Sequence, residues 1–200
     1  YDPFLQCAVM KVLAMLKARD EKFGSILQSI ITSIDARRNA QRAILYQAVE
    51  TIVALMANAS LRGLAFNQVG RLLISKDSNI VYSALSVFNR VLYKGENQFS
   101  RGTADSIALQ RYRKQIIKCL DNQDTSIRRV ALSVILALID ESNVTKFVPE
   151  ILQYLKLADS DFRAELVNRL YFATVRLGKD PLWVFDMIIN VIEESDGYFG

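Results

Sequence analysis

Six basic side chains, Arg111, Arg113, Lys114, Lys118, Arg128 and Arg129, come closest to a chemical constellation in this chain. The first four fall on one predicted helix and the last two open the next. Positive charge gathered in this way could hold acidic lipid headgroups or an acidic partner protein. The commoner fate of such a charge run is a solvated polar face. A second cluster, Arg37, Arg38 and Arg42, lies at a predicted helix N-terminus. Cations there oppose the macrodipole, so local helix stability does not explain the placement. A partner carboxylate or a surface accident would each account for it, and the second is the simpler.

Catalysis finds little to work with. Histidine is absent, which removes His general bases, His-assisted nucleophiles and His metal ligands. Cys7 and Cys119 lie far apart in apolar helical contexts and read as buried thiols of a reducing compartment rather than a disulfide. Two cysteines without histidine do not make a structural zinc site. Glu50, Asp140 and Glu141 could be paired only through the fold. No phosphate-binding loop, metal-ligand spacing or nucleophile motif is present. The sequence therefore predicts no catalytic residue, no metal and no cofactor. Nucleic acid is also disfavoured. The net charge is only +4, and Tyr112, between Arg111 and Arg113, is the one aromatic placed to stack on a base beside cations. Trp183, Tyr46 and Phe88 read as core aromatics. Asn67 and Gln68 interrupt an apolar stretch and suit a bond to a neighbouring helix that fixes register.

The elements that must carry these residues are repetitive. One helical phrase recurs about five times. Its clearest copies are Asp77-Ser-Asn-Ile80-Val-Tyr-Ser-Ala84-Leu and Asp124-Thr-Ser-Ile127-Arg-Arg-Val-Ala131-Leu, with related copies starting at Asp2, Asn58 and Asp159. Stepping along from Leu5, Leu61, Ile80 and Ile127 at helical spacing gives apolar stripes wide enough to face a core, for example Ile127, Val130, Ala131, Val134, Ile135 and Leu138. From Phe162 the stripe is Phe162, Leu166, Leu170, Ala173 and Leu177. Uneven spacing makes this a degenerate array of helix pairs.

About ten helices are predicted. They cover 3–17, 23–34, 39–56, 60–74, 78–93, 105–120, 125–139, 143–155, 160–177 and 181–193. Asp2-Pro3 and Asp180-Pro181 each pair an N-cap with a proline that loses nothing at the first helical position. Pro149 falls at a kink or a start. The stretch from Lys94 to Ala104, with Gly95, Asn97, Ser100, Gly102 and Thr103, reads as a flexible loop. Short connections make consecutive helices antiparallel neighbours, and stacking the pairs buries a continuous apolar seam. The expected fold is an all-α, right-handed solenoid of HEAT or armadillo type over residues 1–200. No run reaches the roughly 18 apolar residues of a membrane span, and the chain reads as an excerpt from a longer protein.

The residues resemble the trunk of a large clathrin-adaptor subunit, nearest to gamma-adaptin. The resemblance is carried in order by Asp2-Pro-Phe-Leu-Gln6, Ala43-Ile-Leu-Tyr46, Ser60-Leu-Arg-Gly-Leu-Ala-Phe-Asn-Gln-Val-Gly-Arg-Leu72, Asp77-Ser-Asn-Ile-Val-Tyr-Ser-Ala-Leu85, Asp124-Thr-Ser-Ile-Arg-Arg129 and the Trp183, Asp186, Ile189, Gly197-Tyr198 spacing. Departures are a longer segment from Lys94 to Leu109, Gln47 after the tyrosine, and Gly63 in place of a larger aliphatic. The resemblance implies a non-catalytic scaffold that holds a second large, a medium and a small adaptor subunit. It also implies a cytoplasmic complex peripheral to Golgi and endosomal membranes and coated vesicles. Clathrin, a small GTPase and membrane lipid would be met through other parts of the full-length protein. Outside that family, the residues alone also fit a nuclear-transport or phosphatase-type helical scaffold, or an α-repeat nucleic-acid binder.

Overall fold

Short polar residues start the helices, and apolar periodicity decides which way each one faces. The computed structural model describes residues 2–18, 20–55, 58–93, 104–155, 158 and 160–195, with the side chains of 104–106 and 161 excluded. Every described regular element is helical. The predicted loop at Lys94 to Ala104 lies outside the described residues except for Ala104, which opens a helix. The chain divides into two compact units, Tyr1–Gln98 and Phe99–Gly200.

The first unit holds α1 (Pro3–Met15), α2 (Glu21–Ser33), α3 (Asn39–Ala54), α4 (Ala59–Gly70) and α5 (Ser78–Leu92). Asp2, Asp20 and Asp77 each cap a helix by accepting the backbone N–H two residues on, at 2.9, 3.0 and 2.9 Å. Asn58 accepts from the Leu61 N–H at 2.8 Å. Each such cap contributes about 1 kcal/mol by satisfying an orphan donor. Helices α1, α3 and α5 pack side by side in chain order, α2 packs on α4, and α2 with α3, α3 with α4 and α4 with α5 pack as consecutive pairs. Alternate helices therefore stack in two layers, which is the geometry of a helical repeat. Ile52, Phe66, Leu85 and Phe88 are buried between the layers, with the Phe66 and Phe88 rings edge to face at 6.4 Å.

The second unit repeats the scheme. It contains α6 (Ala104–Leu109), α7 (Arg113–Lys118), α8 (Thr125–Leu138), α9 (Val144–Leu152), α10 (Ser160–Leu177) and α11 (Pro181–Glu194). α6 packs on α8 and α8 on α10, while α9 meets α11. The helix expected over 105–120 is interrupted by a 3-10 turn at Gln110–Tyr112 and tightens again at Cys119–Asp121. Tightening of a last turn also ends α4, at Arg71–Ile74; it is a common way to satisfy terminal carbonyls. Pro149 lies inside α9, within its first two turns. The stripe from Phe162 is buried throughout, at Phe162, Leu166, Leu170, Ala173 and Leu177.

The stripe read from Leu5 behaves differently. Leu5, Val9, Val12 and Leu16 are exposed, and Met10 is the buried residue of α1. α1 meets α3 through its Met10 side, and the stripe from Leu5 lies away from that contact. Leu182, Phe185, Ile189 and Ile192 form a second exposed apolar stripe on α11.

Candidate functional site

The basic cluster of the second unit is divided by the fold. Arg113 is half-buried on α7. Its guanidinium lies 5.0 Å from the centre of the Phe147 ring, and its Nε pairs with Glu150 at 3.3 Å, both on α9. Arg128 opens α8 and lies 5.3 Å from the Phe162 ring centre on α10. The same guanidinium donates to the Asn122 carbonyl and to Thr125 Oγ1, each at 3.0 Å. Arg129 pairs with Glu165 of α10 at 3.3 Å, and Glu165 also accepts from Arg169 at 2.8 Å. These three arginines therefore serve as rungs between alternate helices. Arg129 stays largely exposed despite its pair, and Arg111, Lys114 and Lys118 are exposed as well.

Arginine at the fourth helical position is a second recurring device. Arg42 in α3 donates to the Ala36 and Arg37 carbonyls at 3.0 and 3.1 Å and also meets Asn39 Oδ1. Arg128 does the same for Asn122 in α8, and Arg163 donates to the Ala158 carbonyl at 3.2 Å in α10. Each side chain reaches back across the turn to a carbonyl that precedes its helix. A planar guanidinium suits this task because it presents several donors in a fixed fork. This accounts for Arg42 at a helix N-terminus, despite the macrodipole. Arg37 stays highly exposed beside Asp35, at 3.6 Å, and Arg38 is exposed at the N-cap of α3.

In the first unit, polar bonds set the register of the layers. Thr51 is fully buried on α3 and donates to the Met10 carbonyl of α1 at 3.4 Å. Gln68 of α4 donates to the Ile31 carbonyl of α2, also at 3.4 Å, in the register-fixing role its position suggests. At the Thr51 bond, α1, α3 and α5 frame a groove of about 390 Å³. Ala14 and Met15, Ala54, and Val91 give it an apolar lining. Lys11 stands on the α1 side, and the Glu50–Arg90 pair, 2.8 Å apart, joins α3 to α5 on the other. The sequence did not single out this groove, because alanines set within a helical stripe look the same whether they line a surface dip or a core.

No catalytic arrangement emerges from these positions. Among the described residues no group of three His, Cys, Asp or Glu side chains is placed to hold a metal. Burial pushes the Cys119 thiol up to about 11, with Lys118 opposing weakly, and burial also raises Cys7. A thiol so shifted is a poor nucleophile at neutral pH. Asp140 accepts from the Ser142 N–H at 2.8 Å, and Glu141 pairs with Lys179 at 2.7 Å. Both carboxylates hold loops. No helix among the described residues is long and apolar enough to cross a membrane.

Comparison with known proteins gives a consistent result. Residues 1–200 match the family described as the adaptin N terminal region. The chain is 34% identical over 198 residues to AP-1 complex subunit gamma-1 of Arabidopsis thaliana, covering 97% of this chain and 22% of that protein. It is 35% identical over 201 residues to AP-1 complex subunit gamma of Dictyostelium discoideum, covering 98% and 21%. Against AP-1 complex subunit gamma-like 2 of Homo sapiens it is 33% identical over 195 residues, covering 96% and 24%. The chain thus spans less than a quarter of the length of these relatives. A crystal structure of an engineered protein, 14% identical, aligns with a TM-score of 0.52 over 98% of this chain and 92% of that one, a likeness of fold alone.

Proposed function

Because this chain belongs to the adaptin N-terminal region family, we infer that it works as a non-catalytic scaffold within the large subunit of a heterotetrameric clathrin adaptor, in vesicle-mediated protein transport. Its relatives are named as gamma subunits of AP-1 complexes, so the partners inferred are a second large chain, a medium chain and a small chain. Clathrin, a small GTPase and membrane lipid are assigned to other parts of the full-length protein. The site of action inferred is the cytoplasmic face of Golgi and endosomal membranes and coated vesicles.

One observation carries the reading: alternate helices stack in register, and three arginines of the basic cluster are bonded into that stack. Arg113, Arg128, Arg129 and Glu165 join helices to one another. What such a stack offers is shape, an extended surface able to hold other chains by many small contacts. The exposed Arg111, Lys114 and Lys118 add a short cationic surface that favours an acidic partner through faster encounter. The test is co-purification. The full-length chain expressed with medium and small adaptor chains is expected to elute with them as one complex at physiological salt. Elution of the chain alone, with the other chains separate, would refute the assignment.

A further inference from the structure

We propose that the groove framed by α1, α3 and α5 docks an amphipathic helical segment of a partner protein, with apolar residues along one face and carboxylates flanking them. The proposal deepens the scaffold reading by giving it a specific docking surface, and in that sense rests on it.

Three features select this occupant. The lining is apolar and small where the helices meet: Ala14, Ala54 and Val91 leave about 390 Å³ open rather than filling it with their own side chains. Met15 lies at the edge, largely exposed. A thioether there can repack around an incoming apolar side chain. The flanking charge is unbalanced. Glu50 is already committed to Arg90, which leaves Lys11 as an exposed cation on the α1 side. Arg90 itself is 64% exposed and keeps donors beyond the nitrogen that meets Glu50. A carboxylate on the ligand meets Lys11 on the α1 side and, on the other, the outer nitrogens of an Arg90 that Glu50 partly neutralises, whereas a basic ligand meets like charge on the α1 side. The supporting layer is also fixed, because Thr51 ties α3 to the Met10 carbonyl of α1 at the groove. A preorganised surface loses little entropy when it is occupied.

The apolar face would supply most of the affinity, and the exposed charges would supply the choice between ligands. The probe is a fluorescein-labelled peptide of about 18 residues, long enough to hold a helix. Leucines occupy one face and glutamates the flanks, and a twin peptide carries lysines instead. Fluorescence anisotropy is read with the full-length chain in its native complex. The acidic peptide is expected to bind more tightly than its basic twin. Lys11→Glu, at an exposed position, is expected to weaken the acidic peptide by about fivefold and to strengthen the basic one by a similar factor. Ala54→Trp, which fills the groove from an exposed position, is expected to weaken binding of the acidic peptide by at least tenfold. Equal binding of both peptides, or an acidic affinity unmoved by Lys11→Glu and Ala54→Trp, would overturn the proposal. The outcome is separable from the scaffold assignment. Loss of peptide binding in a variant that still co-elutes with the other adaptor chains supports the groove while leaving the assembly reading standing. Failure of the unaltered chain to co-elute strikes the assembly reading alone.

Discussion

The Arg128 guanidinium lies 5.3 Å from the centre of the Phe162 ring, so the first turn of α8 rests directly on the first turn of α10. The same group closes the preceding turn through the Asn122 carbonyl and Thr125 Oγ1. One side chain therefore joins two successive repeats and shapes the corner between them. Removing it forfeits a partly buried cation–π contact and two charge-assisted bonds. Arg128→Ala is expected to destabilise the protein by about 2 kcal/mol. Arg128→Lys should restore less than half, because an ammonium cannot make the forked contact. Urea unfolding of both variants measures this. Equal stability of the lysine variant and the unaltered protein would contradict it.

Thr51 and Thr174 are both fully buried, yet they should respond oppositely to the same change. The Thr51 hydroxyl reaches the Met10 carbonyl, whereas among the described residues the Thr174 hydroxyl has no partner. Thr51→Val is expected to cost about 1 kcal/mol. Thr174→Val removes an unpaid desolvation and is expected to gain a similar amount. Thermal midpoints of the two variants should move in opposite directions.

The glycines Gly63 and Gly178 form a second contrasting pair. A methyl group on Gly63, inside α4, would touch nothing within 4 Å. Gly63→Ala should stabilise by roughly 0.5–1 kcal/mol, through lower entropy of the unfolded chain and better helix propensity. At Gly178 a methyl would collide with Val184 Cγ2 and lie 2.7 Å from the Thr174 carbonyl. Gly178→Ala must displace backbone and should cost on the order of 1–3 kcal/mol. Chemical denaturation of the two single variants resolves both signs.

Cys119 predicts an alkaline limit. Its thiol rises from the ordinary 9.0 to about 11 because it is buried. The folded protein thus holds this proton more tightly than the unfolded chain does. The associated stability is complete below pH 9 and is lost as pH climbs through about 11. Subtracting the pH profile of Cys119→Ala from that of the unaltered protein isolates the effect, expected to be on the order of 2 kcal/mol. Parallel profiles between pH 8 and about 11 would exclude it.

Local signals carried the architecture well. Asp2, Asp77, Asp124 and Asp180 mark helix starts in the sequence and cap helices in the structure. Sequence spacing starts the second helix at Phe23, whereas the helix begins at Glu21 behind the Asp20 cap. The apolar stripes of α8 and α10 predicted burial because helical spacing alone decides which side chains share a face. The α1 stripe from Leu5 has the same spacing but is exposed, since periodicity says that a face is apolar and not whether a neighbour covers it. The basic cluster was opaque for another reason. Arg113 and Arg129 find Glu150 and Glu165 about ten helical turns further along the chain. Nothing local to the arginines separates such a rung from a free surface charge. The groove at Thr51 was equally hidden, since it exists only where three non-consecutive helices meet.

The back-reaching arginines also act as rulers. Arg42 and Arg128 each grip a carbonyl six residues earlier, and Arg163 one five residues earlier. A single amino acid inserted between grip and carbonyl would break the span, so descendants of this gene can lengthen those corners only by surrendering the arginine. Length drift is thereby channelled to corners without one, such as the approach to α11, where Asp180 caps the start of the helix.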